Sequence, residues 1–459
     1  MYLNIFTLFY LTKHKNTTIM MIQIRFQKII YEVMTMSTEV KRKGLDKKWI
    51  SFGALMLGAG TIYKLGFLKD AFYVPMQEFM GLSHTQIGVA MSIAGWVTTF
   101  GFLASILVVD RISKKIMIPF SLLGICVCGL FLSTFPSYPI FLLIYCLLAI
   151  FADMLYWPTM LKTVRLLGNE DEQGRMFGIL EAGRGLMDTI VAFCALGIFS
   201  AMGSTAAGLR AAILFYSIVP GIIAIVAFFL LDNDQPVVIA SDEKKETVKK
   251  ESTIKRALKN KNIWLVSLNV FFVYSVYCGL TYFIPFLEEA YALPAALVGV
   301  YGIINQYGLK MFGGPVGGFI TDKVLHSATK YLRICFVIVA AALTIFACLP
   351  HQSLGIIAGM AITLSISALI FSMRAIFFAP MDEVKVPRDI TGSAMSIGSF
   401  VGYLPGAFMY AIYGAILDHF EGLAGYKIVF FIMAALAVVG FFLSCYIINV
   451  IKKQRNAED

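Results

Sequence analysis

Glu181, Arg184 and Asp188 stand at i, i+3 and i+7 in GILEAGRGLMDTIVAFCALGIF, an otherwise apolar stretch. On a helix that spacing puts all three on one face. Such a stripe serves one of two ends. Arg184 contacts an anionic solute while an acid carries a coupling ion, or both acids neutralise the arginine and merely hold the helix in place. The stretch TIYKLGFLKDAFYVP, residues 61–75, raises the same question with Lys64, Lys69 and Asp70. A charge at the centre of a bilayer costs roughly 2.5–3.5 kcal/mol on insertion scales, so an ion kept there points to a solute or ion pathway. Lys64 lies too deep to snorkel to an interface, whereas Lys69 can reach one. On a continuous helix the two lysines point to different sides, with Asp70 beside Lys69 and not stacked on it. Asp153 is a further ion-coupling candidate, and Gln306 and Lys310, at i and i+4, share a face as solute contacts. Tyr156 and Trp157 suit either stacking on an organic ligand or anchoring at the membrane interface, the commoner use. Arg374 reads as a basic residue snorkelling to the cytoplasmic interface.

These groups need elements to hold them, and composition says which. Of 459 residues, 59% are hydrophobic and 14% charged, against about 25% charged in ordinary soluble domains. Apolar runs bounded by Gly, Pro or charged turns place twelve spans near 50–79, 84–108, 115–134, 139–162, 174–201, 208–231, 262–289, 295–321, 331–350, 353–379, 391–417 and 425–450. The expected fold class is an all-α polytopic membrane protein. With loops assigned to alternate sides, nearly all loop Lys and Arg fall on the side of the N-terminus, and the other side holds only Arg210 and Lys427. The positive-inside rule then puts both termini in the cytoplasm. The net charge of +10 is thereby a topology signal and implies no nucleic-acid partner. The eight cysteines are scattered through apolar segments without CxxC, and the five histidines fall in or near loops without HExxH. No metal or other cofactor is expected. No GxxxxGK[ST] and no nucleophile–base constellation is present, so neither ATP hydrolysis nor enzyme chemistry is expected.

The chain divides into a cytoplasmic tail (1–48), a six-helix bundle (49–231), a polar cytoplasmic linker (232–261), a second six-helix bundle (262–451) and a short tail (452–459). Residues 1–35 read as a start-site artefact, with MSTEVKRKG opening at Met36 as the natural start. The halves repeat weakly. SHTQIGVA (83–90) matches PAALVGVY (294–301), LVVDRISKK (107–115) matches GFITDKVLH (318–326), and QGRMFGI (173–179) matches TGSAMSI (391–397). Such duplication is common in carriers, with the solute site between the repeats near the midplane.

Twelve spans, cytoplasmic ends, a long central loop and the DRISKK turn together resemble the major facilitator superfamily. The resemblance covers about 48–451. The first copy of the turn keeps Asp110, Arg111, Lys114 and Lys115 but has Ile106 and Ser113 where the family has glycines; the second keeps Gly318, Asp322 and Lys323. By resemblance, Asp110, Arg111, Asp322 and Lys323 are gating residues that latch the cytoplasmic side, and Tyr274 and Tyr277 line the cavity from span seven. The drug-exporter motifs RxxQG and GxxxGPxxGG are missing from spans four and five. YWPTMLKTVRLLGNEDEQGRMFGILEAGRG looks more like bacterial carriers of organic anions and sugar phosphates. The resemblance implies a monomeric secondary transporter in the bacterial inner membrane, working by alternating access. It would move a small organic anion (a sugar acid, a carboxylate or an organic phosphate) with a proton or sodium ion. Candidate solute contacts are Lys64, Arg184, Tyr274, Tyr277, Gln306 and Lys310; candidate ion-coupling acids are Asp70, Asp153, Glu181 and Asp188. A carrier of a neutral sugar-like solute and a transporter-fold ligand sensor are the alternatives.

Overall fold

The computed structural model describes residues 47–108, 112–167, 173–231, 255–351, 354–387 and 390–456. By its internal contacts the chain divides at Phe52, with Gly53–Asp459 forming one compact unit. Every site candidate lies in that unit. The described residues are almost wholly helical. Nine helices among them are long and apolar enough to cross a membrane. The first, second and eighth spans complete the twelve helices of the expected fold. Residues 232–254 of the linker, the turn with Asp110 and Arg111, and residues 1–46 lie outside the described residues.

Helix starts follow local chemistry. The fourth-position pattern of Ser or Thr before an apolar run recurs: Thr205 accepts from the Gly208 amide at 3.3 Å and opens Ala206–Leu230, the sixth span. Ser327 accepts from the Lys330 amide at 3.2 Å and opens Ala328–Cys348, the ninth. Each side-chain oxygen satisfies an amide that the helix leaves unpaired. Glu383 reinforces the second of these starts, accepting from the Ser327 hydroxyl at 3.0 Å and from the Thr329 amide at 3.3 Å.

The first span departs from a continuous helix. It consists of Lys47–Thr61 and Lys69–Met80, joined by turns over 62–68. The Thr61 hydroxyl turns back onto the carbonyls of Leu57 (3.0 Å) and Gly58 (3.2 Å), and the amide of Lys64 bonds only three residues back, to Thr61 at 3.1 Å. Phe72 then leaves helical geometry at φ −128° and ψ 31°. Spans four and eight are interrupted differently, by widened turns at Ile150–Tyr156, Ile304–Gly308 and Ile320–Leu325. Such turns are rare and recur at functional positions.

The two halves meet on the side carrying the turns 81–83, 133–137, 202–205, 292–294 and 420–422. The charge count assigns this side to the exterior, and it is called the outer side below. Span two (His84–Val108) lies along Met409–His419 of span eleven there. A Cβ on Gly88, Gly95 or Gly414 would run into the backbone of the facing helix, at Tyr410, Gly406 and His84 respectively. Only glycine permits so close an approach. Asp418 closes the seam by capping the opposite half, accepting from the amides of His84 (3.0 Å) and Thr85 (2.6 Å).

Candidate functional site

Between the halves lies a cavity of about 340 Å³, within the range of small-molecule sites. The break in span one turns Asp70 toward it, span four contributes Asp153 and Trp157, and span five contributes Arg184 and Asp188. From the other half come Tyr274 and Tyr277 of span seven (Lys261–Gly279 with Phe283–Tyr291), Gln306 and Lys310 of span eight, Arg374 of span ten (Ile356–Ile376), and Tyr403 and Tyr410 of span eleven.

The acids are occupied. Asp188 forms a buried ion pair with Lys64, whose ammonium also lies 3.5 Å from the centroid of the Tyr307 ring. Lys64 is not among the residues lining the cavity, whereas its partners Asp188 and Tyr307 are. Asp70 accepts from Lys69 Nζ at 2.6 Å, in a pair only 2% and 6% exposed. That contact corrects the expectation for Lys69 and Asp70 in span one. The broken backbone, and not a continuous helix, sets their directions, so sequence neighbours reach each other. Asp153 accepts from the Thr98 hydroxyl at 2.6 Å.

The cations lining the cavity are less well matched. Arg184 donates from Nη2 to Glu181 at 2.5 Å and stacks 5.2 Å from the Trp157 ring, yet its buried Nε has no partner among the described residues. Glu181 itself is half exposed and does not line the cavity. Arg374 lies 4.2 Å from the Tyr277 ring centroid and 5.6 Å from that of Tyr274. Those two rings are 5.2 Å apart, and Tyr403 packs against Tyr274 at 5.0 Å. Among the described residues no carboxylate lies within ion-pair reach of Arg374 or Lys310. The Tyr145 hydroxyl, buried in the cavity wall, also lacks a partner.

Arg374 therefore does not snorkel; it enters the cavity, because its helix turns that face toward span seven. Trp157 lines the space, while Tyr156 is buried behind it with its hydroxyl on the Leu55 carbonyl at 2.8 Å. Tyr63, Tyr145, Tyr307, Tyr403 and Tyr410 were not foreseen as cavity residues. Tyr403 and Tyr410, seven apart on one span, were the signal available. Asp322 and Lys323 are exposed in the widened turn Ile320–Leu325, away from the cavity. Among the described residues no group of His, Cys, Asp and Glu could hold a metal.

Membrane-spanning helices around a cavity lined by charged and tyrosine side chains fit a membrane transport protein, and the comparisons agree. The sequence pattern of the Major Facilitator Superfamily matches residues 49–410. The chain belongs to that superfamily. It is 48% identical over 409 residues to the inner membrane protein YihN of Escherichia coli K12, covering 89% of this chain and 97% of that one. It is 23% identical over 382 residues to the glycerol-3-phosphate transporter of Bacillus subtilis, covering 78% and 83%. In fold it is similar to a bacterial homolog of the human lysosomal transporter Spinster, solved inward-facing and unoccupied, with a TM-score of 0.71 at 13% identity over 89% of this chain and 98% of that one.

Proposed function

We propose that this protein is a secondary carrier for a small organic anion, held in the cavity by Arg184, Lys310 and Arg374. One observation carries the reading: each cavity-lining acid already has a hydrogen-bonding or ionic partner, while the buried Arg184 Nε has no partner among the described residues and neither Lys310 nor Arg374 has a described carboxylate within ion-pair reach. An anion supplies the acceptors. The buried Arg184 Nε left unpaired costs about 1–3 kcal/mol, so a ligand that brings it an acceptor is favoured. Lys64, expected to touch the solute, is assigned instead to holding Asp188. The tyrosines of spans seven and eleven provide an apolar wall with hydroxyl groups, suited to the body of a sugar acid or organic phosphate. The glycerol-3-phosphate transporter among its relatives supports this class.

Asp70, Asp153 and Asp188 are the candidates for coupling a proton or sodium ion. The closed outer seam corresponds to an inward-facing state in a bacterial inner membrane, with both termini in the cytoplasm. The test is a thermal-shift screen of the purified protein against metabolites sorted by charge. Ligands that bind the folded state raise its melting temperature. Anions are expected to stabilise the wild type, and Arg374→Ala to weaken that binding about tenfold or more, the worth of a charge-assisted hydrogen bond. Stabilisation by neutral sugars alone, or an unchanged response in Arg184→Ala and Arg374→Ala, defeats the anion reading.

A further inference from the structure

Lys69 belongs to neither the proposed anion contacts nor the cavity lining, yet it is 2% exposed and makes two hydrogen bonds. Its ammonium donates to Asp70 Oδ1 in its own half. In the same position it donates to Thr281 Oγ1, in span seven of the other half, at 2.6 Å. It also lies 5.3 Å from the ring centroid of Tyr410, in span eleven. Tyr410 is the residue whose backbone Gly88 touches, and the next amide, that of Ala411, donates to Ser92 of span two at 3.2 Å. Asp70 is tied to the same junction, because its carbonyl packs against Gly302 of span eight. One buried ammonium thus joins a cavity-lining acid to both helices on the far face of the outer seam.

We infer that Lys69 is the clasp of the outer seam: the positioning residue that ties closure of the exterior side to the carboxylate of Asp70 at the cavity. This rests on the alternating-access reading above. Opening the seam carries Thr281 and Tyr410 away together and leaves Lys69 with Asp70 alone. A charged donor stripped of an acceptor in a buried setting is costly, so the clasp favours the closed seam. The cost falls when water enters, and the clasp can therefore release without unfolding the span.

The test uses the full chain with Ser92→Cys in right-side-out membrane vesicles and a membrane-impermeant maleimide. Labelling of that peptide is followed by mass spectrometry, which separates it from the native cysteines. Lys69→Met is expected to raise the labelling rate about tenfold, and Thr281→Val to raise it in the same direction, since each deletes a hydrogen bond to a charge. Lys69→Arg is expected to keep the slow rate, a rescue that mere packing damage would not show. If Lys69→Met does not fold, Thr281→Val decides. Gly414→Leu, a wedge against the His84 backbone, is the control. Fast labelling of the wedge with wild-type rates in both clasp variants overturns the role of Lys69. Slow labelling of the wedge as well means that the seam does not open, and the alternating-access reading itself fails.

Discussion

Lys64 and Asp188 show what a single buried charge demands of its neighbours. The lysine is 1% exposed and held between a carboxylate and a tyrosine ring. Removing one member of such a pair strands the other, at a cost of about 3–5 kcal/mol, whereas removing both leaves no uncompensated charge. Lys64→Met and Asp188→Asn should therefore each lower the melting temperature sharply, and the double variant should recover most of the loss. A loss in the double variant equal to the sum of the two single losses would show that the pair adds no coupling. His351, in the turn after span nine, gives a pH-dependent counterpart. Its ring is packed between Phe286 and Phe346, at 5.0 and 4.9 Å. Burial, with Lys427 nearby, holds its pKa below the usual value. The unfolded chain takes up a proton near pH 6.5 and the folded one resists it, so this contribution is intact above that pH and is lost as pH falls below it. A melting curve recorded across that range should fall on the acid side in the wild type, and His351→Gln should flatten that fall.

At the scale of elements, interruptions matter more than helices. The sequence marked the position of span one well, since its apolar run and its charges are both plain. What it could not show was that Gly58, Gly60 and Gly66, with the back-bonding Thr61, break the span at 62–68. The expectation that Asp70 does not stack on Lys69, drawn on a regular helix, failed there, while the two lysines do take separate partners. The stripe Glu181, Arg184 and Asp188 fared better because Gln173–Ala201 is one unbroken helix. Arg184 and Asp188 line the cavity, though Glu181 does not. Arg374 was misjudged for another reason: nearness to a helix end says how far a side chain can reach, and nothing about which neighbour it faces. Glu383 went unnoticed because its partners lie 54 to 56 residues away. As a cap on span nine it should be worth about 0.5–2 kcal/mol. Glu383→Ala is expected to lower the melting temperature modestly, with Glu383→Asp intermediate; an unchanged value would mean that the cap is dispensable.

For the whole molecule, the distribution of charge and the placement of the seam make one joint statement about orientation. The glycine-lined contact of spans two and eleven lies on the side with few loop cations, and that side faces outward if the positive-inside rule holds. A reporter active only in the cytoplasm should work when fused after Asp459. One active only outside should work when placed in the turn 202–205. The reverse pattern would invert the seam as well as the termini.

The broken first span also bears on how the protein is made. Span one enters the membrane first, carrying Lys64, Lys69 and Asp70, and charges of this kind each add roughly 2.5–3.5 kcal/mol to its insertion. Asp188 arrives with the fifth span, but Thr281 and Tyr410 are synthesised only after the linker. Until then Lys69 has Asp70 and no partner from the second bundle. A ribosome paused after residue 231 would hold a half-protein in which Lys69 keeps Asp70 but still lacks the Thr281 and Tyr410 contacts that the second bundle supplies.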